Sequence, residues 1–350
     1  MKRSYSLKAL FWLHCQILHF ALTLTASPQD TGNPMEPVEK NPLATSSQET
    51  SEQPTFHVSK GLDPDGSLVR NYRRGLEFAV DYFGNYGPYH VYLLGPGNEQ
   101  DIKDIFRERA STRAIPGITQ SEAEQVEAFL KQPNILSEIA AVIAGESTGG
   151  LTWSSPQWRV YEDVTTNATE RTKDPVENTS GAIHEYHHVF QIAHCDPSQE
   201  RSSDRNLNSW MLEGMATYSA ALFTERLGLS DFKQYMRDLR TSGANIGRPG
   251  INEFLAEAQN PQLDNEAYWD EGPYPQVYYM LGAWATAYLI HVHGINETTV
   301  LKDWYFDVPT LGKSVAFAKH MKITLKEFYQ AFDTFIRQSD EAVMKIFTDA

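Results

Sequence analysis

The segment GAIHEYHHVFQ, Gly181 to Gln191, sets His184, Glu185 and His188 in the order His-Glu-x-x-His. On an α-helix, residues four apart lie on one face about one turn from each other, so both imidazoles can offer a ring nitrogen to one ion. Glu185 then stands beside the pair, placed to take a proton from a water that the ion activates. Two imidazoles, a third protein donor and an open position are the donor set of a hydrolytic zinc centre, so one Zn2+ is the expected cofactor.

Two residues compete to be the third donor. His194 lies ten positions after His184, a spacing that serves when a glycine breaks the helix and swings the last imidazole back. Here that position is Gln191, a good helix former, and on a continuing helix His194 points about 80° away from His184 and two to three turns along. Glu213, in WMLEGMATY from Trp210 to Tyr218, is the alternative. Its apolar neighbours Trp210, Leu212, Met215 and Ala216 imply a charge that has found a partner. A second helix crossing the first would bring this carboxylate to the open side of the two histidines, with Gly214 and Ala216 allowing close approach. Glu213 is therefore favoured over His194.

The order of these blocks resembles the gluzincin metallopeptidases, and specifically peptidase-MA-like domains in which HExxH is followed by WLxEGxAxY. Here the two blocks are HEYHH and WMLEGMATY. YMLGAWATAYLIHVHG, Tyr279 to Gly294, is similar to a downstream helix of that group, and TLKEFYQAFDTFI to its closing helix. The resemblance implies His184, His188 and Glu213 as zinc ligands and Glu185 as general base, acting on peptide or protein substrates. One departure stands out: thermolysin-like members carry an Asp four residues after the ligand Glu to orient a ligand His, and here that position is Thr217. Asp196 and Asp204 are candidates for the missing partner. An oxyanion donor is expected C-terminal to Glu213, among Tyr274, Tyr278, Tyr279, His291 and His293. The spacing of the resembling domains puts the family tyrosine at Tyr279.

The elements that must hold these groups read as α+β: a small sheet in the N-terminal half packed on a largely helical C-terminal half carrying the HExxH helix. Apolar residues at helical spacing predict a helix over 68–83, followed by a buried strand in PYHVYLL, Pro88 to Leu94. GGLTW and QWRVYEDVT, Gln157 to Thr165, read as further strands. Thr119 with Glu122 and Thr324 with Glu327 form capping-box patterns, and Ser180 is a candidate cap for the HExxH helix. Helical patterns dominate thereafter, over 180–194, 208–227, 230–240, 274–293 and 324–337.

Residues 1–26 read as a signal peptide, with Lys2, Arg3 and Lys8 preceding an apolar run from Ala9 to Leu24. An uncleaved anchor is the alternative, and either outcome predicts a secreted or periplasmic protein. Residues 27–55 are rich in Pro, Ser, Thr, Gln, Glu and Asn and predict a polar linker, leaving 56–350 as the catalytic domain. Net charge is -15, from 45 acidic and 30 basic side chains, which offers no basic stripe for nucleic acid or anionic lipid. Cys15 falls in the leader and Cys195 is alone in the remainder, so core packing and metal must stabilise the fold in place of disulfides. A scaffold that binds without catalysis, or a hydrolase of non-peptide amides or esters, uses the same fold. Glu185, with no evident structural purpose, argues against the scaffold.

Overall fold

A computed structural model describes residues 49–96, 99–114, 119–146, 149–153, 161–165, 174–195, 204, 206–241, 250–257, 263 and 277–347. The leader lies outside these residues. Along the first half come β1 (Thr55–Val58), α1 (Ser67–Phe83), β2 (Tyr89–Leu93), α2 (Glu99–Arg113), α3 (Glu122–Leu130), α4 (Pro133–Ala144), β3 (Gly149–Trp153) and β4 (Tyr161–Thr165). The second half is helical, with α5 (Pro175–His194), α6 (Met215–Arg226), α7 (Phe232–Thr241), α8 (Ile251–Glu257) and α9 (Gly282–Ala287). Shorter helices follow, then α10 (Leu325–Ile336). The class is α+β, as the sequence pattern implies. The described residues divide into two compact units, one of Gly66–Gly84 with those from 174 onward, the other of 49–65 with those between 85 and 165.

The second of these holds the sheet, in the order β1-β2-β4-β3. β1, β2 and β4 run parallel, and β3 pairs antiparallel to β4 with Leu151 opposite Asp163. Pairing begins before β1, where Thr50 N–H donates to Asn85 O at 2.7 Å within the segment read as linker. Tyr92 and Val164 point to the face covered by α2, α3 and α4 and join Phe106, Phe129, Ile139 and Val142 in one core. Glu162, two residues before Val164, is buried there too and pairs with Arg109 at 2.9 Å and Arg113 at 2.6 Å. Burial alone would raise its pKa, but the two guanidinium groups outweigh it and hold the carboxyl at about 2. The capping box of α3 is Ser121 with Glu124, not Thr119 with Glu122. A start two residues later sets Glu122 and Glu124 in the first turn, where the helix dipole favours acids.

In the other unit α5 is a twenty-residue helix with most of its length buried. Its cap is Asp174, whose Oδ1 accepts from Val176 N–H at 2.9 Å, with Pro175 in the first turn. Ser180 lies inside the helix and is buried, so it does not cap. α1 runs against α5 because Gly75 has no side chain: a Cβ there would sit 2.2 Å from Thr179 O. Thr179 Oγ1 donates to Asn71 O at 3.0 Å, and Tyr186 OH to Gly84 O at 2.8 Å. At the far end Thr324 and Glu327 form the expected capping box, and Leu325, Phe328, Phe332 and Phe335 bury one face of α10. Cys195 is buried and joins no disulfide among the described residues. Among the described residues no helix is long and apolar enough to cross a membrane.

Candidate metal centre

α5 places His184 and His188 on one face with their Nε2 atoms 3.1 Å apart. The opposing carboxylate comes from Trp210–Gly214, a π-helical turn that leads into α6 and carries Glu213. Glu213 Oε2 lies 3.4 Å from His184 Nε2 and 3.3 Å from His188 Nε2. It is buried and makes no hydrogen bond, which a carboxylate oxygen does not tolerate without another partner. Donors at about 2.0–2.1 Å from a tetrahedral ion are separated by roughly 3.3–3.4 Å, so the three atoms already sit near the edges of a coordination tetrahedron. Among the described residues they are the group of His, Cys, Asp and Glu able to hold a metal ion.

The electrostatics follow from that geometry. Burial disfavours charge on His188, but the adjacent Glu213 carboxylate, with Glu185 and Gln191 adding, lifts its pKa from 6.5 to about 9. Burial disfavours the Glu213 anion in turn, yet His188 and His184 pull its carboxyl well below the usual range. A divalent cation held by these residues would supply a larger positive charge in the same place. Glu185 is buried next to His184 on α5 and is not one of the three converging donors.

His188 is oriented by Gln191, whose Oε1 lies 2.8 Å from His188 Nδ1. The sequence reading valued Gln191 only as a helix former and looked for the partner at Asp196 or Asp204. Asp204 instead accepts from Ser314 N–H at 3.0 Å, and Asp196 lies outside the described residues. Thr217, at the departure from the thermolysin-like pattern, is buried. A buried amide three residues after a metal-face histidine was the available signal.

The neighbouring histidines go elsewhere. His187 is buried, with Nδ1 2.8 Å from Ser219 Oγ and its ring 4.3 Å from that of Phe83. His194 packs between Phe190 and Phe306, at 4.8 and 4.7 Å between ring centres. Burial, with Lys302 adding, lowers its pKa to about 4. His291 is bonded to Tyr218 OH at 3.0 Å and His293 is half-buried.

Tyr279 lies in a second π-helical turn, Val277–Leu281, at the start of α9. Its ring is buried and lies nearly parallel to that of His184, 6.1 Å between centres and 20° between planes. Tyr278 is half-buried, and Tyr274 lies outside the described residues. The two π turns pack together because Gly214 and Gly282 bring their backbones into contact: a Cβ on Gly214 would lie 2.3 Å from Gly282 Cα. Gly214 thus serves the approach of α9, where the sequence reading assigned it to the contact with α5.

Residues 177–271 match the family model of the M61 glycyl aminopeptidases. Comparison with curated proteins gave no match, and comparison with solved structures gave none. Over the span that carries His184, Glu185, His188 and Glu213, the chain is similar to the M61 glycyl aminopeptidases, a gluzincin metallopeptidase family, which supports a peptidase.

Proposed function

We propose that this protein is an exported, zinc-dependent metallopeptidase whose ion is held by His184, His188 and Glu213. The observation that carries the reading is the convergence of two Nε2 atoms and one orphaned carboxylate oxygen at 3.1 to 3.4 Å. When bound, the ion supplies a Lewis acid that polarises the scissile carbonyl and lowers the pKa of water. Glu185, on the same helix as both histidines, accepts the proton of the attacking water and returns it to the leaving nitrogen. The Tyr279 hydroxyl donates to the oxygen on which charge develops. That role rests on its place over His184, because the family match ends at residue 271. An apolar N-terminal run supports export, and the acidic surface supports peptide over nucleic acid as substrate.

Cleavage of a mixed peptide library with and without chelator tests the activity. The family's description makes peptides with a free amino-terminal glycine, against the same peptides blocked, the first pair to include. Turnover should vanish with chelator, return with Zn2+, and be absent in Glu185→Gln with zinc content unchanged, because Glu185 holds a proton and not the ion. Near-wild-type turnover in Glu185→Gln would remove Glu185 from the mechanism.

A further inference from the structure

We infer that Gln191 is a positioning residue that fixes the tautomer of His188 and ties the turn bearing Glu213 to the helix bearing both histidines. The inference rests on the metal-site reading above. Gln191 is fully buried, and its carboxamide is engaged at both ends. The Nε2 end faces Met211 O at 3.0 Å, Leu212 O at 3.1 Å and Tyr305 OH at 3.0 Å. Two of these partners are carbonyls, which only accept, so the amide nitrogen must point at them: the flipped amide would set oxygen against oxygen in a dry site. Tyr305 agrees, since its hydroxyl proton goes to Met215 Sδ at 3.0 Å and its oxygen is left to accept.

With the nitrogen end so fixed, Oε1 faces His188 Nδ1 at 2.8 Å, and an amide oxygen can only accept. The proton therefore sits on His188 Nδ1. The lone pair is left on Nε2, the atom that faces His184 and Glu213. Met211 and Leu212 are the two residues before Glu213 in the π turn. One neutral side chain thus spans α5 and the carboxylate turn, and it acts on the site without touching substrate or ion.

The test uses the full-length protein in a zinc competition against a chelating dye. Gln191→Met keeps length and apolar volume while removing both hydrogen-bonding ends, and zinc affinity should fall about 10- to 100-fold. The cobalt-loaded protein should also change its visible spectrum, a signal that a loss of stability alone does not move. Should Gln191→Met fail to fold, the wild-type protein decides by long-range nitrogen NMR of the metal-free form at a pH where His188 is neutral. His188 protonated at Nδ1 supports the inference, and protonation at Nε2 overturns it. A folded Gln191→Met within about twofold of wild-type affinity also overturns it while leaving the metal site intact. A wild-type protein that takes up no zinc sinks the metal-site reading itself.

Discussion

Each functional side chain in the centre is defined by what its polar atoms face. Tyr279 stacks on His184 from the start of α9, and the proposed function gives its hydroxyl the oxyanion. Tyr279→Phe should lower turnover by about two to three powers of ten with zinc content and KM little changed, measured by steady-state kinetics on metal-loaded protein. Unchanged turnover would make Tyr279 structural. The convergence of His184, His188 and Glu213 was legible because a helix fixes the geometry of i and i+4, and because Glu213 sits in apolar company that an unpartnered carboxylate avoids. Gln191 was not legible: its role depends on carbonyls about twenty positions onward, whose direction a π turn sets. His194 was legible: its spacing suits a ligand, but a continuing helix turns it away from His184, and its side chain packs between Phe190 and Phe306.

Among the elements, two of the three π turns in the described residues are the distinctive parts, since one carries Glu213 and the other Tyr279. Such turns occur often at functional sites. Their contact is backbone on backbone, and a Cβ on Gly282 would lie 2.7 Å from Gly214 Cα and 2.8 Å from Trp210 O. Gly282→Ala should therefore force the turns apart, destabilising the metal-free protein by about 1–3 kcal/mol and weakening zinc although no ligand is touched. Gly181→Ala is the control, because nothing lies within 4 Å of a Cβ there, and a helical alanine should be neutral or stabilising by up to about 1 kcal/mol. Thermal melts of the two variants check both, and equal behaviour would contradict the contact as the cause. The helices themselves were readable from periodicity, and α5 starts earlier than its apolar pattern because Asp174 and Pro175 supply cap and first turn. The start of α3 was misplaced by two residues, because the Thr119 and Glu122 pattern has the spacing of a box while the box that forms is Ser121 with Glu124, with both acids in the first turn.

Over the whole molecule, the two units are stabilised by different chemistry. The sheet unit carries the Glu162 network, and its sign is that of a depressed carboxylate: from 4.5 the folded pKa falls to about 2. Its contribution is fully present above the unfolded pKa and is lost as pH falls through about 4.5 toward 2. Glu162→Gln should destabilise at neutral pH by on the order of 3 kcal/mol, leaving Arg109 buried with a weaker partner. Denaturant unfolding of both proteins across that range checks it: the curves should converge as acid removes the wild-type advantage, and parallel curves would contradict the assignment. The helical unit holds the candidate metal centre, whose hydrolytic reading was available from the blocks HEYHH and WMLEGMATY together. Division into two units was not available, because Gly66–Gly84 joins the helical unit across about ninety intervening positions while no sequence pattern marks long-range contact. The central claim is the ligand set, and zinc titration against a chelating dye tests it most directly. Wild type should bind one equivalent, Glu213→Ala should lose affinity heavily because a direct donor is gone, and His194→Ala should match wild type. Retained zinc in Glu213→Ala together with its loss in His194→Ala would contradict the account.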